Sequence, residues 1–463
     1  MHSDITDTIA AISTAPGEGG LSVVRVSGPE SLNIADAVFR GPAPKPSERK
    51  GNTFVHGFAH FPESDARTVA KDADEVILLI YRAPASYTRE EVVEFQGHGG
   101  HAAAARILRA VFEAGARPAE PGEFTRRAFL NGRIDLIQAE AVLDLIRARS
   151  DRAAAAAIEQ MEGTLSNSFT NSYDDILKIC AHLEARLDFP EDDIPETVFQ
   201  SLSTDLDVAL STLKKLLESW EEGRVLRQGA LVVISGRPNV GKSTLLNRLL
   251  GMERAIVTDT PGTTRDTIEE QIVVQGFPMR LVDTAGIRET DCRIEQEGVQ
   301  RARRSAQNAD LVLHIIDASK PLDSEDAGLL QTLDSDKALV LLNKADLGRQ
   351  VAPEELPGFD TLPCSLLNDV ELPGLKEKML KHTGIQFNQP VHAVISERHR
   401  HIVRFALKEL NRARELMIQG LDGNEVLIVS QLRAALELLG TATGRVYTEE
   451  LLDTIFSQFC IGK

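Results

Sequence analysis

The residues best suited to chemistry form one run, GRPNVGKS from Gly236 to Ser243, which fits the pattern G-x-x-x-x-G-K-[ST]. Glycines at these places let backbone N–H groups close around phosphate oxygens at a helix N-terminus, so Asn239, Val240 and Gly241 form a cradle with Thr244 beside it. Lys242 meets the β and γ oxygens, and the Ser243 hydroxyl ligates magnesium. Further groups follow in the order a nucleotide hydrolase needs. Thr263 and Thr264 in PGTTRD supply a switch hydroxyl, with Thr264 reaching the metal and the γ-phosphate. Asp283, Thr284, Ala285 and Gly286 follow RLV; the carboxylate holds magnesium through water and the Gly286 amide senses the γ-phosphate. Asn343, Lys344 and Asp346 in NKAD name the base, because Asp346 accepts two hydrogen bonds from guanine N1 and N2, a donor pair that adenine lacks. A fifth element, expected as S-A-K, is only partly matched by Cys364, Ser365 and Leu366, which leaves Ser365 as the base-side contact.

The position after Gly286 is Ile287, where signalling GTPases carry a glutamine that orients the attacking water. Isoleucine cannot do this, so another group must. Glu289, Asp291, Glu295 and Glu297 are the candidates, and spacing alone does not choose among them, since each also reads as a solvated loop charge.

These groups need rigid carriers. From Gly229 to about Thr383 the short apolar runs LVVIS, RLVD, LVLHIID and ALVLLNK alternate with helical stretches and end in polar residues. That is the pattern of a doubly wound, mostly parallel sheet, which binds ligands at strand carboxyl ends. Before it, alternation over Leu21–Val26, Glu75–Tyr81 and Val92–Phe95 with a helical stretch at Ala102–Ala114 predicts a small α+β domain. Helical periodicity fills Asp135 to about Glu222, broken at DFPEDDIPE, and returns after Pro390, with Val426–Leu439 closed by Gly440 and a last helix over Glu449–Phe459. The expected architecture is multidomain α/β and α: residues 1–132, a helical segment 133–225, an inserted nucleotide-binding domain 226–386 and a second helical segment 387–463.

The balance of 51 Lys+Arg against 69 Asp+Glu gives a net charge of −18, which excludes a protein that coats nucleic acid over its whole surface. An RNA contact must be local. Arg400, Arg404, Lys408 and Arg412 share one helix face, although such runs are usually solvated surface. No apolar run reaches the length of a membrane span, and MHSDITD lacks a basic region followed by an apolar stretch, so the expectation is a cytoplasmic protein without a membrane partner. Cys180, Cys292, Cys364 and Cys460 are scattered with no C-x-x-C pair, which argues against a disulfide framework or a zinc site.

Outside the nucleotide motifs, the segments APGEGGLSVVRVSG, VVEFQGHGG, PGEFTRRAFLNGRIDLIQAEAV and the terminal FCIGK closely resemble the MnmE (TrmE) family of tRNA modification GTPases. The resemblance runs from near residue 5 to Lys463. It implies an N-terminal folate-binding domain that forms a homodimer, a discontinuous helical domain and an inserted Ras-like P-loop GTPase domain. It also implies a reaction: with a flavoprotein partner, MnmG (GidA), which carries the FAD, the family adds an aminomethyl or carboxymethylaminomethyl group to C5 of wobble uridine in tRNA. The one-carbon unit comes from a 5-formyl- or 5,10-methylene-tetrahydrofolate. By the same resemblance Arg25, Glu94 and Lys463 are folate contacts, and Arg133 stands where the family usually has lysine. Arg89, Glu90 and Glu91 follow SYT where the family commonly has G-E-D. Potassium is implied as the activator, held by Asn239 and by the loop carrying Thr258, Thr260 and Thr263, in place of an arginine finger. Thr258 is implied to border the GTP as well. Glu295 matches the water-activating glutamate; Arg288, not part of that match, reads equally as a residue that holds the switch loop or as a solvated arginine. Cys460 in the tail reads as a nucleophile or as a small buried residue, with packing favoured because no base stands beside it in sequence. The competing function is a regulatory GTPase of ribosome assembly, which would carry an RNA-binding domain in place of the folate-type residues and the CIGK tail.

Overall fold

The computed structural model describes residues 7–62, 72–188, 196–253, 269–283, 308–368, 372–384, 395–420 and 423–463. The chain divides into two compact units, Met1–Leu143 with Gly440–Lys463, and Asp144–Leu439.

In the first unit the strands are β1 (Ile9–Ile12), β2 (Leu21–Ser27), β3 (Phe39–Arg40), β4 (Thr53–His60), β5 (Asp72–Tyr81), β6 (Val92–His98) and β7 (Arg117–Pro118). They form one sheet in the order β3-β4-β5-β6-β2-β1-β7, antiparallel except where β7 joins β1. Strict alternation sends Val24, Val26, Leu78, Ile80, Val93 and Phe95 to one face, where α1 (Ser31–Val38) and α2 (His101–Glu113) cover them. Each such side chain contributes about 1.5–3 kcal/mol by burial. On the other face the register sets Arg25 opposite Glu94, Glu94 opposite Leu79, and Leu79 opposite Phe54. α3 (Glu123–Leu130) follows, and its Phe129 packs with Leu136 and Leu143 of α4 (Leu136–Arg147) and with Leu452, Phe456 and Phe459 near the carboxyl terminus.

The second unit opens with α5 (Asp151–Met161), α6 (Thr164–Asp188), α7 (Glu196–Glu218) and α8 (Trp220–Gln228). Its strands β8 (Ala230–Ser235), β9 (Glu269–Val274), β10 (Phe277–Asp283), β11 (Leu311–Asp317), β12 (Ala338–Asn343) and β13 (Asp360–Pro363) run in the order β13-β12-β11-β8-β10-β9. All pairings are parallel except the β9–β10 hairpin, as the buried apolar runs of β11 and β12 require. α9 (Lys242–Glu253), α10 (Ser324–Leu330) and α11 (Leu372–His382) accompany the sheet, and α12 (Glu397–Gln419) packs on α7. Ala153 and Ala156 of α5 and Val225 and Leu226 of α8 join the same apolar cluster as Phe277 and Met279.

Two helix ends differ from the sequence reading. α13 (Glu425–Thr443) runs through Gly440, and the helix ends instead before Gly444, which takes the left-handed φ of 82°. Gly440 is buried inside that helix. α14 (Glu449–Phe456) stops three residues earlier than expected because the chain turns into the tail at Ser457. α13 is also, among the described residues, long and apolar enough to cross a membrane, with mean hydropathy 1.3, although half of that window is buried inside the protein as in a core helix.

Candidate functional site

β8 delivers the chain into the phosphate loop at Gly236, and α9 takes it up at Lys242. Asn239 and Gly241 adopt left-handed φ of 63° and 116°, so that the loop curls under the start of α9. A Cβ on Gly241 would clash with Asn343 Nδ2, which explains the glycine there. Lys242 is buried and donates from Nζ to Gly236 O (2.7 Å) and Arg237 O (2.6 Å), inside the curve of the loop. The Ser243 side chain at the helix start is exposed, whereas Val240 is buried beneath the loop.

The base-side motif braces this loop. Asn343 ends β12 and is buried; its Nδ2 donates to Val240 O (2.7 Å) and its Oδ1 accepts from Leu366 N (2.9 Å). One carboxamide thus ties the phosphate loop to the Cys364–Leu366 segment. Lys344, at φ 61°, donates to Asp317 Oδ2 (2.6 Å) and Asn239 O (3.3 Å). Burial works against the Asp317 carboxylate, but the bonds from Lys344 and Ser319 hold it below its ordinary value. Ala345 N donates to Cys364 O (3.1 Å), which joins the NKAD segment to the Cys364–Leu366 segment; Asp346 is exposed and Ser365 buried. The structure therefore gathers Asn239, Val240, Gly241, Lys242, Asn343, Lys344, Asp346 and Ser365 at the carboxyl ends of β8, β11 and β12. Thr244 follows Ser243 in the first turn of α9 and is half-buried.

Sequence reasoning missed His314 on β11. It shares a 2.8 Å hydrogen bond through Nδ1 with Ser235 Oγ, directly before the loop, and burial followed by the Lys242 charge pushes it down to about 4. It is a neutral partner to the strand end, and the apolar neighbours in LVLHIID hid it.

The donor set suits magnesium, which takes few protein oxygens and completes its shell with water and phosphate. Ser243 offers a hydroxyl, and Asp283 ends β10 opposite Ile234 on the adjoining strand. Of Asp283 only the backbone position is described. The residues at 254–268 and 284–307, among them Thr258, Thr260, Thr263, Thr264, Thr284, Ala285, Gly286, Arg288 and Glu295, lie outside the described residues.

A second site lies in the first unit, a cavity of about 650 Å³ on the open face of the sheet. Arg25, Glu94 and Arg133 all line it, together with Tyr81, Tyr87 and Arg89. Arg25 Nε donates to Glu94 Oε1 at 2.7 Å, and its guanidinium stands over the Tyr87 and Phe124 rings at 5.4 and 5.6 Å. Arg133 lies over the other side of the mouth, 4.7 Å from the Tyr87 ring centre, and donates to Tyr87 O (2.9 Å). Lys463 is drawn in by its backbone: Phe124 N donates to Lys463 O (3.2 Å), and Ser13 Oγ donates to Gly462 O (3.0 Å). Burial, then the Arg25 charge, lowers the Lys463 ammonium from its ordinary value, which sets it in the field of the Arg25–Glu94 pair. Tyr81 escaped the sequence reading. It shares an alternating face with Glu94, and burial followed by the Glu94 carboxylate pushes its hydroxyl up. Cys460 is exposed rather than buried, because the tail is held through its carbonyl, which accepts from Gly122 N (3.4 Å) and Lys463 N (3.3 Å).

A family model described as the MnmE helical domain matches residues 136–460, and one described as the GTP-binding protein TrmE N-terminus matches residues 8–133. The chain belongs to the MnmE family. Curated relatives named tRNA modification GTPase MnmE match it nearly end to end. That of Geotalea uraniireducens is 43% identical over 99% of this chain and 100% of its own length. That of Lactiplantibacillus plantarum is 43% identical over 99% and 98%, and that of Bacillus subtilis 42% over 99% and 100%. An MnmE-family chain with this phosphate loop and NKAD segment is a GTP hydrolase. The helix face of Arg400, Arg404, Lys408 and Arg412 is divided: Arg400 stacks on Trp220 (4.8 Å), Arg412 pairs with Glu409 (3.0 Å), and Arg404 and Lys408 are exposed.

Proposed function

We propose that this chain is a potassium-activated GTPase that works with a flavoprotein, MnmG, to add an aminomethyl or carboxymethylaminomethyl group to C5 of the wobble uridine of tRNA in the cytoplasm. A tetrahydrofolate supplies the one-carbon unit. The observation that carries the reading is the cavity where Arg25, Glu94, Arg133 and the tail Lys463 converge, in a chain that also holds a braced phosphate loop. Glu94 accepts hydrogen bonds from pterin N–H groups, and the cationic side chains take the folate carboxylates. On the nucleotide, Lys242 leaves the loop carbonyls for the β and γ oxygens, Ser243 and Asp283 hold magnesium, and Asp346 reads guanine. Glu295 activates the water, Arg288 holds its loop, and Asn239 would hold a potassium ion, which would supply positive charge beside the phosphates. The exposed apolar side chains Leu21, Phe54, Phe58 and Ile77 on the strands of the first unit support a homodimer through that unit.

Two measurements test the reading. GTP turnover in potassium should exceed that in sodium severalfold, and equal rates would remove the cation from the mechanism. Calorimetric titration with 5-formyltetrahydrofolate should show binding that Glu94→Ala abolishes; equal binding by parent and variant would remove the cavity from the folate reading.

A further inference from the structure

We propose that Arg89, with Arg133, makes the cavity in the first unit selective for a folate carrying an oligoglutamate tail over one carrying a single glutamate. The inference rests on the folate reading and names the form of ligand the mouth of that cavity accepts. Arg89 is a non-glycine residue at φ 59°, a left-handed conformation that costs an L side chain about 1–2 kcal/mol relative to glycine. The cost brings a guanidinium to the cavity wall. Its Nη1 gives one hydrogen bond, to Asn131 O (3.1 Å), and lies 3.6 Å from the Cβ position of Gly132, directly before Arg133. Arg133 likewise donates to a backbone carbonyl and stacks on Tyr87. Neither guanidinium has a carboxylate within ion-pair distance among the described residues, whereas most other lining charge is already matched by the Arg25–Glu94 pair.

Each exposed arginine has five N–H donors in a planar fork suited to carboxylates, and each here spends one on the backbone. Two adjacent forks at the rim of the cavity match two or more carboxylates in series, which is what γ-linked glutamates present beyond the first. Arg25 and Lys463 are too deep for that role: Arg25 is only 16% exposed in its side chain, and Lys463 is partly buried beside it.

The test is calorimetric titration of the full-length protein with 5-formyltetrahydrofolate as monoglutamate and as triglutamate, for the parent and for Arg89→Gly. Glycine suits φ 59°, so the variant folds, and an unlowered melting temperature verifies it. The parent should bind the triglutamate about three- to tenfold more tightly, an advantage that shrinks in high salt and is lost in Arg89→Gly. Equal binding of the two forms by the parent would overturn this inference while leaving the folate reading intact. Absence of binding by either form would sink both. An advantage that survives in Arg89→Gly while tRNA affinity falls would also overturn it and assign Arg89 to RNA phosphate instead.

Discussion

Asn343→Ala tests how the nucleotide site is held together. The carboxamide makes two bonds, to Val240 O and from Leu366 N, and both are buried. Truncation orphans a carbonyl in the phosphate loop and an amide in the base-side loop. Each orphaned buried group costs about 1–3 kcal/mol, and partial reopening to water favours the low end, so the pair amounts to about 2–3 kcal/mol. Because the brace joins two loops that must close on one nucleotide, most of that loss should appear in binding, as a fall in GTP affinity of about 30- to 150-fold. Asn343→Asp is the sharper control: it keeps an acceptor for Leu366 N but turns an oxygen toward Val240 O, so it should bind no better than Asn343→Ala. The assay is equilibrium titration with a fluorescent GTP analogue, accompanied by circular dichroism melting to verify folding. A folded Asn343→Ala variant binding within about threefold of the parent would refute the brace.

Three further outcomes follow. Glu123 accepts from Arg117 (2.7 Å) and from the buried Arg127 (2.9 Å); burial opposes its charge, but these arginines and the Glu120 amide hold the carboxyl below its ordinary value of 4.5. Its contribution is therefore present above about pH 4.5 and lost as pH falls through the depressed value, so Glu123→Gln should cost about 2–4 kcal/mol in urea unfolding at neutral pH and less in acid; a pH-independent difference would count against the linkage. Gly444→Ala places a Cβ 2.7 Å from the Phe129 ring at φ 82° and should lower stability by about 2–4 kcal/mol, whereas an unchanged melting temperature would contradict the helix end described above. Glu295→Ala should keep GTP affinity and lose turnover by about two to four orders of magnitude; parent-like turnover would remove Glu295 from the mechanism.

What could be read from sequence was what is local. GRPNVGKS lies in one continuous segment between a strand and a helix, so its spacing alone places Gly241 and Lys242 at a helix start, as found. The buried apolar runs of β8, β11 and β12 announced a parallel sheet for the same reason. What depends on contacts between distant segments was not legible by spacing. Tyr81 and Arg89 reach the cavity of Arg25 and Glu94 only because β2, β5 and β6 pair in one register, and no local pattern encodes that register. Lys463 arrives by a backbone bond from Phe124, across most of the chain, and was named only through the family resemblance. Asn343, read as part of a base-recognition signature, turns out to spend its side chain on two loops. Gly440 misled because a glycine after an apolar run usually ends a helix, whereas here it stays inside α13 and Gly444, at φ 82°, follows its last turn.

We propose that the cavity of Arg25 and Glu94 and the GTP site serve one reaction on tRNA. The most direct measurement is a mass-spectrometric nucleoside census of tRNA from cells with the gene, without it, and restored with either the parent chain or Glu94→Ala. Aminomethyl-type C5 substituents of wobble uridine should vanish on deletion, return with the parent chain and stay absent with Glu94→Ala. An unchanged census on deletion, or full recovery with Glu94→Ala, would contradict it.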